Sequence, residues 1–100
     1  MSVMMIRAKV KDESVADVEA AVRTMFSAIQ RAEPEGVRYA SCKASDGSTF
    51  VILLEVEDGI ENPLGTVPEF RQFQRGLKDW ISEPPVPEQL TVAGSYRLFR

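Results

Sequence analysis

At 100 residues, with 44% hydrophobic and 27% charged side chains, the chain reads as one ordinary globular domain spanning 1–100, not a disordered or fibrous one. Its 12 basic and 15 acidic residues are interspersed and sum to a net charge of −3, which argues against a nucleic-acid surface. Histidine is absent, which removes the commonest general base and the commonest metal and haem ligand together. The single cysteine, Cys42, forms no internal disulfide, and no C-x-x-C stands ready for zinc or redox work. No apolar run approaches the roughly 20 residues that cross a bilayer. Met1–Ile6 lacks a basic leader, so a cytoplasmic address with no membrane partner is expected.

Val3–Val10 alternates Met4, Ile6, Ala8 and Val10 against Met5, Arg7 and Lys9, the period of a strand. Ser14, three residues before Asp17, suggests a weak capping box. Val15, Val18, Val22, Met25 and Ile29 then form one helical stripe, thickened by Ala21 and Phe26, while Thr24 and Gln30 fall on the solvated side. The helix is expected to stop near Ala32 or Glu33, because Pro34 disfavours helical geometry before it and Gly36 can supply a left-handed residue.

Val37–Ala44 and Thr49–Glu57 read as two antiparallel strands joined through Asp46-Gly47, a tight-turn pair. After the loop Ile60–Gly65, Thr66-Val67-Pro68-Glu69 has the form of a capping box with proline in the first turn. Phe70, Phe73, Leu77 and Trp80 keep helical spacing to about Ile81. Glu83–Pro87 reads as a stiff connector, and Gln89–Phe99 alternates as a fourth strand.

The order β-α-β-β-α-β predicts an α+β, ferredoxin-like fold, a four-stranded antiparallel sheet with both helices on one face. The opposite face should then be polar. The third strand disagrees: Phe50, Ile52, Leu54 and Val56 line one side, and Val51 and Leu53 the other, with Met5, Phe99 and Cys42 as neighbours. A strand apolar on both sides is one covered on both sides. Pairing of two sheets into a homodimer, through this face and the fourth strand, is the expected remedy.

On Glu33–Tyr39 before the second strand, Phe50, Glu55 and Glu57-Asp58 along the third, and Pro68–Phe73 opening the second helix, the chain resembles the antibiotic-biosynthesis-monooxygenase-like group of dimeric α/β-barrel proteins. That resemblance implies a dimeric barrel. It also implies cofactor-independent monooxygenation of an aromatic or polyphenolic metabolite held between helices and sheet. Tryptophan near Val56 and histidines near Leu64 and Glu69, frequent in the family, are missing here, which speaks against a haem-degrading branch.

The polar and aromatic residues open to such a ligand are Tyr39, Asn62, Trp80, Tyr96, Arg97 and Arg38, with Phe73 beside Trp80; no motif assigns one of them individually. Candidate substrate-binding residues are therefore Tyr39, Asn62, Phe73, Trp80, Tyr96 and Arg97, with no catalytic residue, metal or cofactor assigned. Four of them have a plainer account, while Tyr39 and Tyr96 could hydrogen-bond a ligand in a mostly apolar pocket. Phe73 and Trp80 sit on a core stripe, Asn62 suits a turn before Pro63, and Arg97 inside a barrel would pair with Glu55. Cys42 reads as a small buried hydrophobe. Glu55 and Glu57 share a strand face about 7 Å apart, which serves acid–base chemistry only inside a pocket. RNA recognition needs exposed aromatics that this chain does not offer. Two readings stay open: an oxygenase of an aromatic metabolite, and a non-enzymatic ligand-binding or interaction module of the same fold.

Overall fold

Strand alternation and two helical stripes resolve into six elements: β1 Ser2–Lys9, α1 Val15–Ala32, β2 Val37–Lys43, β3 Thr49–Val56, α2 Pro68–Trp80 and β4 Val86–Thr91. They are seen in a computed structural model that describes residues 2–98. The strands form one antiparallel sheet in the order β2-β3-β1-β4, the ferredoxin-like arrangement. Register places Ala8 opposite Phe50, Ile6 opposite Ile52 and Met4 opposite Leu54, so these side chains share the face beneath the helices.

The core forms where that face meets the helical stripes. Val10, Val18, Met25, Phe50 and Phe73 are buried together, with Val22, Phe26, Ile29, Tyr39, Phe70 and Leu77 packed against them. Met25 is 1% exposed, and cutting it to alanine there would cost about 2–5 kcal/mol. The β2–β3 hairpin is held by Asp46, whose Oδ1 accepts from the Ser48 and Thr49 N–H groups at 3.0 and 2.8 Å. Its Oδ2 accepts from the Thr49 hydroxyl at 2.6 Å. The Thr49 hydroxyl above all, then these N–H groups, hold the Asp46 carboxyl well below the usual carboxylate range.

The helix ends differ from expectation. Ser14 closes a short 3-10 turn, Asp12–Ser14, with φ −102° and ψ −6°, and its side chain caps nothing. Glu33, not Gly36, takes the left-handed position that ends α1, with φ 48° and its N–H donating to the Ile29 carbonyl at 2.9 Å. No capping box opens α2. Thr66 belongs to the 3-10 turn Pro63–Thr66, where its hydroxyl donates to the Pro63 carbonyl at 2.8 Å, and Val67 takes the N-cap position. Ile81 leaves the helix and bridges to Val10.

β4 also differs. It begins at Val86 and takes in Pro87, which an edge strand with a single partner tolerates. It ends at Thr91, because antiparallel pairing brings Thr91 opposite Ser2, where β1 starts. Residues 92–98 therefore continue outside the sheet, and Phe99 lies outside the described residues.

On the side away from the helices, Met5, Val51 and Leu53 are half-buried, and Val86 is exposed. Cys42, expected to be buried, is exposed, since β2 is an edge strand and Cys42 pairs with Val51 on this open side.

Candidate functional site

α2 starts from the extended Val67 and from Pro68, whose missing N–H costs nothing in a first turn. Glu69, Gln72, Phe73, Gly76 and Trp80 then recur at spacings of three and four, which puts them along one flank of the helix. On α1, Ala21, Thr24 and Met25 have the same relation. Where the two helices pack together, these flanks border an open cleft of about 190 Å³ lined by Ala21, Thr24, Met25, Glu69, Gln72, Phe73 and Trp80.

Its aromatic wall is the Phe73–Trp80 pair, with ring centroids 5.8 Å apart and planes tilted by 52°. Gly76 makes the indole's position possible. A Cβ at Gly76 would stand 3.0 Å from Trp80 Cη2 and 3.3 Å from Cζ3, so a side chain there would push the ring aside by a few tenths of an ångström. Thr24 and Gln72 bring a hydroxyl and an amide to the rim, and Glu69 is the one charged lining residue. Such a cleft can hold one small ring by its face and grip one polar substituent.

The other candidate residues lie elsewhere. Tyr39 stands between helices and sheet, stacked on Phe26 at 5.1 Å and 15°, with the Phe70 ring edge-on at 5.8 Å and 72°. Burial pushes its hydroxyl up to about 12, so it is a poor acid at neutral pH. Asn62 is structural: its Oδ1 accepts from the Leu64 N–H at 3.0 Å and caps the 3-10 turn. Tyr96 and Arg97 stand beyond β4, exposed, with the guanidinium 5.0 Å from the Tyr96 ring centroid.

Arg97 does not meet Glu55, contrary to expectation. Glu55 instead has Arg38 for a neighbour, Nε to Oε1 at 3.9 Å, because the two are register partners on β2 and β3. Glu55 is 7% exposed, and its buried Oε2 has no hydrogen-bond partner among the described residues. Glu57 lies past the end of β3 and is exposed, so the two carboxylates do not share a strand face or a pocket.

Of the six candidates, then, Phe73 and Trp80 alone line the cleft, while Tyr96 and Arg97 meet each other on the surface. The structure adds Thr24, Glu69 and Gln72, which sequence reasoning passed over. Their signal was the spacing from Glu69 through Gln72 to Phe73, and the neighbouring positions of Thr24 and Met25. Among the described residues, no group of three His, Cys, Asp or Glu side chains gathers to hold a metal, and no helix is long and apolar enough to cross a membrane.

No family model matches the chain, and no curated protein matches it. Solved structures do. Rv0793 from Mycobacterium tuberculosis superposes with a TM-score of 0.75 at 14% identity, over 94% of this chain and 96% of that one. An antibiotic biosynthesis monooxygenase gives 0.73 at 14% identity, over 94% and 100%. A mutant of SnoaB, a cofactor-independent oxygenase from Streptomyces nogalater, gives 0.68 at 14% identity, over 96% of each chain. The chain has the fold of the antibiotic biosynthesis monooxygenase-like proteins, and at this identity the fold is what the likeness carries.

Proposed function

We propose that this protein is a cytoplasmic homodimer that binds a small planar aromatic metabolite in the cleft between its two helices. The observation that carries the reading is the Phe73–Trp80 wall facing Thr24, Glu69 and Gln72 across about 190 Å³. A mostly apolar cleft with a few convergent polar groups is the usual form of a small-ligand site. The volume is below the roughly 300–1,000 Å³ of drug-sized sites, which limits the ligand to about one ring.

Two features support the dimer. The open sheet face is lined by Met5, Val51 and Leu53, which a second sheet would cover. On the same face Glu55 keeps a buried oxygen without a donor among the described residues, and burying such an atom is costly unless a neighbour completes it. The free, exposed Cys42 agrees with a reducing compartment.

A second reading, oxygenation of the bound ligand without a cofactor, is favoured by the fold shared with SnoaB, which is named for that activity. In it the substrate's own electrons reduce O2. Against it stands the dispersal of Tyr39, Asn62, Tyr96 and Trp80 over four places.

A thermal-shift screen of polyphenols, simple aromatics and flavins tests binding, and oxygen uptake measured on the hits separates the readings. Stabilisation by single-ring aromatics without oxygen uptake is expected. Uptake stoichiometric with product would establish the second reading, and a screen without hits would overturn both.

A further inference from the structure

We propose that the inter-helix cleft selects an aromatic cation, a ring carrying a protonated amine. This rests on the ligand-binding reading above and names its chemistry. Glu69 is the one charged residue lining the cleft. It takes part in no ion pair among the described residues, whose pairs are Lys9–Asp46, Arg38–Glu55 and Lys43–Glu19. Glu69 thus lines the cleft beside the Phe73 and Trp80 rings with no cationic side chain paired to it among the described residues, its charge eased only by its place in the first turn of α2.

Both components favour positive charge. The carboxylate attracts it directly, and an indole face carries negative potential that draws a cation, tryptophan most strongly among the aromatic side chains. Thr24 and Gln72 supply oxygen acceptors at the rim, so the N–H groups of an ammonium have partners besides Glu69. The chain's net charge of −3 favours approach of a cation over that of an anion. A carboxylate-bearing ring of the same size meets Glu69 with like charge, and a neutral one leaves the carboxylate unanswered. The cleft lies in the helical layer, away from the open sheet face, so each subunit of the dimer carries its own site.

Trp80 is the sole tryptophan, so its emission reports on the cleft alone. The test is titration of the full chain with 2-phenylethylammonium, neutral 2-phenylethanol and anionic 3-phenylpropionate at neutral pH. The ammonium is expected to bind about tenfold more tightly than the alcohol, and the anion most weakly. In Glu69→Gln the ammonium's advantage over the alcohol should shrink to about twofold, the cation–π share. Glu69→Lys should invert the order in favour of the anion.

Equal affinity of wild type for ammonium and alcohol would overturn the charge selection and leave the ligand-binding reading standing. So would an unaltered preference in Glu69→Gln that melts as wild type does. Absence of saturable change with all three ligands would overturn both.

Discussion

Trp80 lies back against Gly76 one turn earlier in α2, so close that a Cβ on Gly76 would stand 3.0 Å from Cη2 of the indole. The glycine costs helix stability in an interior position, about 0.5–1 kcal/mol relative to alanine. In return the indole lies flat along the helix and the cleft beside it stays open. A sequence that gave up this stability without using the space would be harder to understand.

Gly76→Ala should therefore separate folding from binding. Helix propensity gains up to about 1 kcal/mol, while the indole must shift by a few tenths of an ångström into the cleft. Melting temperature is expected to stay near wild type, and affinity for single-ring aromatics to fall about tenfold. Unchanged affinity would mean the indole does not form the wall of the site.

The open sheet face predicts an assembly. Leu53 sits mid-strand on β3, opposite Met5 of β1, on the side away from the helices. Leu53→Lys should convert a dimer into a folded monomer, read by light scattering as a fall from twice to once the 11.2 kDa chain mass. A wild-type chain already monomeric at micromolar concentration would contradict the assembly.

Much of the architecture was legible in the residues, and the misreadings have physical causes. The β2–β3 hairpin was readable because Asp46-Gly47 supplies both the turn angles and the capping carboxylate, and α1 because Val18, Val22, Met25 and Ile29 repeat without interruption. The limits of β4 were not readable, because they depend on its partner: pairing with β1 draws Val86 and Pro87 into the sheet and releases residues 92–98. Thr66 resembled a cap, but Asn62 captures the chain into a 3-10 turn first. The cleft depends on how α1 and α2 pack together: Thr24 is exposed, as its place on the helix predicts, and lines the cleft only because α2 brings Glu69 and Gln72 beside it.

Glu55 and Arg38 form a poorly matched pair, 3.9 Å apart, with one carboxylate oxygen buried and without a partner among the described residues. Removing Arg38 leaves the Glu55 carboxylate with no counter-ion among the described residues, so Arg38→Ala is expected to cost about 1 kcal/mol in urea melts, discounted because the arginine is half exposed. In a chain held monomeric, Glu55→Leu should be neutral or stabilising, since an apolar side chain suits this site better than a carboxylate whose buried oxygen no described residue completes. In the Glu55→Leu background Arg38→Ala should then cost nothing measurable, a non-additivity that a double-mutant cycle reads directly.

Tyr39 gives the fold a dependence on high pH. Its hydroxyl is raised by burial from 10.0 to about 12. The unfolded chain thus loses this proton before the folded one does, and stability falls as pH rises between those values. Two units correspond to roughly 2–3 kcal/mol. Wild type should lose about that much more stability than Tyr39→Phe between pH 10 and 12, in denaturant melts at constant ionic strength. Parallel loss in both would mean that the Phe26–Phe70 surroundings leave the hydroxyl in water.

The most direct test of the ligand site is a crystal structure of the full chain with a single-ring aromatic amine that quenches Trp80. Density for the ring against Phe73 and Trp80, with the amine turned toward Glu69, is the predicted result. Density between the sheet and the Tyr39 stack, or at the open sheet face, would contradict it.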